Sequence, residues 1–393
     1  MRQARASTNV SRAQMEQARS GYLPQVTGTA TYKRQTGNFA PSPGSATVNT
    51  GGTDWNPRNN SYNLALNATQ LIYDFGQTDG RWRAANATIE ASQQNERTAL
   101  VTALLNVKKA YYTARADKAL IKVAEDTVAN DAKHIQQIEA FVKAGTHPEI
   151  DLVQSRTDYA NARVTLITAQ NNYEVAKAGL IQAMGVVSNT DFDVVDEDAG
   201  PLQEEDQPMD TLAKRALAQR PEMANLVKQR TAQELTLSST KGGYGPSISA
   251  TAGGTYAGTD LSNLVPNWNV GATLTWPILS GWNTHGLVHQ AEANLDTIDA
   301  EVDAQRLQIE YDVQNAWLQV KATKASIGAA QEALVNAKEQ QRLAEGRYSA
   351  GTGSVIELFD AQVAATNAAA QVVQADYNLA TARAQLLAAM GRS

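Results

Sequence analysis

The sequence predicts a mixed α and β fold that is internally duplicated, in which paired strands suited to a membrane barrel feed helices long enough to form a tube. Three observations predict it. A constant offset of 206 residues runs without a gap from Tyr62/Trp268 to Gly185/Gly391. Four segments, 22–33, 61–73, 244–257 and 267–279, alternate with period two. Four others, 81–143, 149–184, 287–350 and 355–390, are rich in Ala, Gln, Leu, Glu and Lys, and none carries a proline. A period this long is no short solenoid repeat, so each half is a multi-element unit.

In chain order, residues 1–20 read as the first helix of the first half. Residues 21–75 hold a strand pair in which Tyr62, Leu64, Leu66 and Ala68 oppose Asn63, Ala65, Asn67 and Thr69, joined by a Gly, Pro, Ser, Thr and Asn-rich stretch, Gly37 to Asn60, suited to an exposed tip. Residues 76–185 carry two helices, the first able to run about 95 Å at 1.5 Å per residue. Leu100, Leu104, Val107 and Tyr111 step by four, three and four, the seam of coiled-coil packing, and Val313 and Trp317 stand at the places of the last two in the second copy. Residues 186–210 form an acidic linker containing Asp191, Asp193, Asp196, Glu197, Asp198, Glu204, Glu205, Asp206 and Asp210. It lacks the ligand spacing of a known calcium loop. The second half repeats the order as a helix over 211–242, a strand pair over 243–281 and two helices over 282–393.

In the fourth strand segment Trp268, Val270, Ala272, Leu274, Trp276 and Ile278 share one face, and uncharged hydrophilic residues or glycine hold the other. Such alternation suits a half-buried soluble sheet or a barrel strand in lipid. Trp268 and Trp276, eight residues and roughly 27 Å apart along a strand, are spaced like two aromatic girdles, to which Tyr62 is assigned as well. Four strands cannot close a membrane barrel, and an open edge cannot face lipid, so the chain is expected to oligomerise.

Composition excludes several classes. With 34 basic and 40 acidic residues and a pI near 5.4, the chain is no nucleic-acid binder on charge grounds. It has no cysteine, hence no disulfide, thiolate metal site or cysteine nucleophile. No run of 18 apolar residues offers a transmembrane helix. No phosphate loop or nucleophile motif appears, so no catalytic residue, cofactor or enzyme activity is expected. His285 and His289 are spaced i, i+4, but no Glu between them and no third ligand completes a metal site, so none is assigned.

The segments Ala18-Arg19-Ser20-Gly21-Tyr22-Leu23-Pro24, Arg220-Pro221-Glu222-Met223, and Arg347 to Thr352 leading into Ile356-Glu357-Leu358-Phe359-Asp360-Ala361 resemble the TolC-like outer-membrane efflux channels over essentially the whole chain. The resemblance implies a homotrimer with a twelve-stranded barrel in outer-membrane lipid, four strands per chain, continuous with a helical coiled-coil tunnel in the periplasm. It implies a periplasmic adaptor and an inner-membrane transporter as partners in efflux or type I secretion. It places 186–210 in an equatorial belt around the tunnel. It also implies that the chain is a mature or trimmed form, since the family's signal peptide and the start of its first helix are missing. A trimeric surface stalk or adhesin with no pore is the rival reading, since Ala-rich helices also make stalks.

By the same resemblance the helix turns at Gly145 and at Gly351 and Gly353 form the periplasmic tip. Glu357, Asp360 and Asp151 are expected at its aperture, where threefold repetition would make cation-favouring rings. Asp151 and Tyr348 match a gating contact, and Gly353 stands where an arginine can make another. The simpler alternative is that Asp151 and Glu357, early in their helices, complement the helix dipole.

Overall fold

The computed structural model describes residues 1–36, 58–197 and 200–392, with side chains omitted at 35, 36, 58 and 59. The expected tip between Gly37 and Asn60 therefore lies almost wholly outside the described residues, as does Asp198. The elements run α1 (Arg2–Ser20), β1 (Gln25–Thr36), β2 (Arg58–Tyr73), α2 (Gln77–Lys143), α3 (Glu149–Met184), α4 (Met209–Gln219), α5 (Pro221–Lys241), β3 (Ser247–Gly258), β4 (Val265–Thr275), α6 (Asn283–Ser349) and α7 (Val355–Ala389), with one 3-10 turn at Gly242–Tyr244. They divide into two compact units. One comprises Arg5–Gln93 and Leu226–Glu301, the other Met1–Ala4, Gln94–Asn225 and Val302–Ser393.

The first unit holds an antiparallel sheet in the order β1-β2-β3-β4. Its register turns the alternation into rows, because directly opposed residues share a face. Gly28, Leu66, Gly254 and Trp268 make one row, and Val26, Ala68, Ala252 and Val270 another. Between them, on the opposite face, lie Thr27, Asn67, Gly253 and Asn269. There Gly253 leaves room for the two neighbouring asparagine side chains. A Cβ at that place would meet the Asn67 and Asn269 side-chain oxygens at 2.5 and 2.7 Å. The apolar face is exposed, Trp268 by 78% and Val270 by 74%.

Trp276 departs from the expected pattern. β4 ends at Thr275, so Trp276 is outside the strand, and its indole N–H donates to the Tyr244 carbonyl at 3.1 Å. Pro277 explains the stop, since it offers no N–H to a ladder and restricts the residue before it. The aromatic residues of the opposite sheet end include Tyr62 and its cross-strand partner Tyr32, with ring centroids 5.0 Å apart, and Tyr256 opposite Leu64.

Each hairpin hands over to a long helix through a sharp turn, with positive φ at Phe75 and Gly76 and, in the second copy, at Gly281 and Trp282. Asp74 Oδ2 accepts from the Thr78 amide at 2.8 Å and its hydroxyl at 2.6 Å, satisfying groups that the start of α2 leaves open.

Among the described residues the second unit packs its helices around three separate hydrophobic clusters. Ile309, Val313 and Val320 of α6 pack with Leu212 and Ala216 of α4 and Leu386 of α7. Ala114 of α2 packs with Tyr173 and Leu180 of α3 and with Val194. Ile138 packs with Tyr348 and Leu358. Val107 and Tyr111 join the second of these and Trp317 the first, but Leu100 is exposed, so the proposed seam is covered for only part of its length.

The helix expected over 211–242 is two helices. Arg220 is extended, with φ −67° and ψ 126°, because Pro221 disfavours the helical region for its predecessor and then starts α5 at the position where a missing N–H costs nothing. The acidic linker is not simply solvated. Asp193 pairs with Lys118 at 2.6 Å and accepts from the Tyr173 hydroxyl at 2.7 Å, Asp196 pairs with Arg115, and Glu204 with Arg392. Glu205, its side chain 1% exposed, holds Arg383 at 2.5 Å and Lys324 at 3.1 Å. Burial would raise the Glu205 pKa, but Arg383, the Leu202 amide and Lys324 outweigh it and keep the carboxyl below its ordinary value.

Candidate functional site: the ends of the helical hairpins

Two helical hairpins end in related turns. α2 closes at Lys143, and Gly145, at φ +72°, takes the left-handed conformation. The Gly145 amide then donates to the Val142 carbonyl at 3.0 Å and the Thr146 amide to Phe141 at 3.1 Å. α6 closes at Ser349, and Gly351, also at +72°, is followed by the same pair of bonds, to Tyr348 at 3.0 Å and to Arg347 at 2.9 Å. These are Schellman closures, which explains the doubled Ala-Gly-Thr in physical terms. The glycines supply a left-handed φ rather than flexibility. Gly353 acts differently. A Cβ there would stand 3.0 Å from Arg347 Cβ and from the Tyr348 nitrogen, so the chain crosses closely over the end of α6.

The next helix begins with a cap. Ser354 Oγ accepts from the Glu357 amide at 3.1 Å, with Glu357 three residues on, the spacing of a capping box. Glu357 also takes Arg347 Nη1 at 2.7 Å, an ion pair across the turn. Glu357 thus serves the helix end, as its early position suggested, and is at the same time tied to α6. The role of Arg347 is not legible in the sequence, because the pair spans the turn. Asp360, one turn further, is exposed and makes no hydrogen bond or ion pair among the described residues. On the first hairpin Asp151 lies in the opening turn of α3, and its amide donates to the Pro148 carbonyl at 3.2 Å.

Tyr348 is 3% exposed. Its ring meets Phe141 edge-on, with centroids 6.1 Å apart, and His147 at 5.1 Å, while His147 stacks on Phe141 at 4.9 Å. The contact expected between Asp151 and Tyr348 is not a hydrogen bond. The Tyr348 hydroxyl is buried and has no hydrogen-bond partner among the described residues, while its ring packs against Phe141 and His147. Burial raises the Tyr348 pKa, and the nearby Asp151 charge raises it further. Phe141 and His147 were overlooked in the sequence, where nothing distinguishes them from ordinary turn-flanking residues.

Asp131 of α2 and Gln362 of α7 form a buried polar contact, the amide of Gln362 donating to the carboxylate. Burial pushes the Asp131 pKa up, opposed by Gln362 and by the charge of His134. The arrangement offers packing, charge and two hydrogen-bonded turns.

Residues 1–186 and 212–392 match the family described as Outer membrane efflux protein. Among individual relatives, the outer membrane efflux protein BepC of Brucella suis is 22% identical over 99% of this chain and 81% of its own length. The outer membrane protein TolC of Escherichia coli is 23% identical over 100% of this chain and 79% of its own. In structure, the channel protein CusC superposes with a TM-score of 0.86 at 20% identity, covering 100% of this chain and 89% of CusC. The CmeC outer membrane channel of Campylobacter jejuni gives 0.82 at 20% identity, covering 99% and 82%. The match decides between the exit duct and the surface stalk in favour of the duct.

Proposed function

We propose, because this chain belongs to the outer membrane efflux protein family, that it is one third of a passive exit duct. Three copies would complete a twelve-stranded barrel in the outer membrane and bring their hairpin ends together in the periplasm. There the duct would receive substrate from an inner-membrane transporter through a periplasmic adaptor. The duct has no chemistry of its own, so energy comes from those partners.

The observation that carries the trimer is the open sheet. β1 and β4 each have one sheet neighbour within the chain, on a sheet whose apolar face is exposed. Unpaired strand edges are not tolerated in lipid, and closed membrane barrels start at eight strands, so four strands require partner copies. Three copies make the twelve that the family resemblance implies.

At the periplasmic end we assign Asp360 to the aperture, with Glu357 held beside it by Arg347. The contact of Tyr348 with Phe141 and His147, next to Asp151, is the packing that keeps this end closed. Planar-bilayer recordings test both assignments. Wild-type protein should form discrete cation-selective channels, and Glu357→Gln/Asp360→Asn should lose the selectivity. Channels indifferent to that double change would move the constriction elsewhere, and folded trimers that never conduct would remove the duct reading. Tyr348→Ala, which empties the pocket under His147, should raise conductance more than Tyr348→Phe, which removes only an unpartnered hydroxyl.

A further inference from the structure

His285 and His289 stand one turn apart near the start of α6, both exposed, with ring centroids 4.3 Å apart and their Nε2 atoms 3.1 Å apart. The spacing alone left them an unremarkable pair, and the convergence of the two nitrogens is what the structure adds. His289 turns its other nitrogen, Nδ1, toward Glu292 Oε2 at 3.4 Å, and Glu292 Oε1 is in turn held by Lys241 Nζ at 3.2 Å. A carboxylate facing Nδ1 favours the tautomer that carries its proton there, which leaves the Nε2 lone pair of His289 directed at His285. Two lone pairs at this separation repel unless a positive centre lies between them. Either His285 donates an Nε2 proton or a metal ion occupies the gap.

An ion about 2.05 Å from both nitrogens, a usual metal–imidazole length, would see them at an angle of about 98° across the 3.1 Å separation. That is near the right angle between adjacent ligands in a tetragonal site and short of the tetrahedral angle that Zn²⁺ favours. Imidazole donors in tetragonal geometry belong to Cu²⁺ and Ni²⁺.

We propose that His285 and His289 form a two-point clamp for a divalent cation of the Cu²⁺ or Ni²⁺ type, with water in the remaining positions. Glu292 is the positioning residue that fixes the ring of His289. Among the described residues no group of three or more His, Asp or Glu gathers to hold a metal, so this is an exchangeable surface site and not a caged structural one. The proposal is independent of the export reading and assigns no cargo.

The test is a Cu²⁺ titration of the full chain in detergent, read by electron paramagnetic resonance and by tryptophan fluorescence. Trp282 lies edge-on to His285 with centroids 5.3 Å apart and is a built-in reporter for quenching. The expected result is one equivalent per chain, with a tetragonal spectrum split by two imidazole nitrogens. His285→Ala/His289→Ala should abolish that spectrum and the associated quenching, and Glu292→Gln should weaken binding about ten-fold. Both histidines are exposed, so the double variant is expected to fold, and helical circular dichroism checks it. His289→Gln is the milder second variant and should lose the two-nitrogen spectrum likewise. A spectrum unchanged in these variants would place the copper elsewhere, and a wild-type chain with no two-nitrogen signal would mean that the pair shares only a proton. Either result overturns the clamp.

Discussion

Replacing Glu205 by Gln tests whether the acidic segment is strapped to the helices by charge. The carboxylate is 1% exposed and receives Arg383 Nε at 2.5 Å, Lys324 Nζ at 3.1 Å and the Leu202 amide at 2.9 Å. Glutamine keeps the size and one acceptor oxygen but removes the charge. Loss of one partner of a buried pair costs about 3–5 kcal/mol, and the half-exposed Lys324 adds at most about 1 kcal/mol. The retained acceptor and the further contacts of Arg383 bring the expected cost down to about 2–3 kcal/mol, or roughly 30- to 150-fold in a local opening equilibrium. Amide hydrogen exchange read by mass spectrometry on a peptide spanning 201–208 measures that opening directly, and exchange there should accelerate by this factor at pH 7.5. Because the folded pKa of Glu205 lies below its unfolded value, the stabilisation is fully present above the unfolded carboxylate range and is lost as pH falls through the folded value. The wild-type protein should therefore approach the variant only in acid. Equal exchange at pH 7.5, or a difference that persists unchanged at the lowest accessible pH, would refute the charge strap.

Other perturbations separate turn geometry, buried charge and the membrane face. Gly351→Ala puts a Cβ at φ +72° and should cost about 1 kcal/mol locally, seen as about five-fold faster proteolysis near 346–354 with the helix content unchanged. Asp131→Asn should raise the unfolding midpoint at pH 7.5. Burial lifts the folded pKa of Asp131 above the unfolded one, so its charged form costs stability that returns as pH falls, and an amide still accepts from Gln362. Thermal melts at pH 7.5 and below should show that advantage shrinking. Val270→Arg on the apolar row should weaken refolding into lipid by roughly 2–4 kcal/mol if it lies near the midplane, whereas Asn269→Arg on the other face should cost far less. Equal losses would contradict the assignment of faces.

Much of this architecture is written locally. Period-two alternation placed β1 to β4 because side chains in a strand alternate by geometry, and the proline-free Ala, Gln and Leu runs placed α2, α3, α6 and α7 because helix formation is mainly a local preference. Gly145 and Gly351 marked the turns because the left-handed closure of a helix strongly favours glycine. Arg220-Pro221 carried a break that was legible and passed over, since the surrounding helical composition outweighed one residue in the reading but not in the chain. The short reach of Trp276 has the same origin, in Pro277.

The site divides along the same line. That Glu357 begins a helix is a local fact, readable from Ser354 three residues before it. That Arg347 reaches it, that Tyr348 is buried against Phe141 and His147 with no partner for its hydroxyl among the described residues, and that Glu205 finds Arg383 178 residues away are facts of packing. The amino-acid sequence by itself determined the duplication, the element types, the strand faces and the family, because each depends on near neighbours or on the pattern of the whole. Only the tertiary structure decided which charges pair, which polar groups are left unpaired and where two imidazoles converge, because distance in space is set by how the helices pack and not by spacing along the chain.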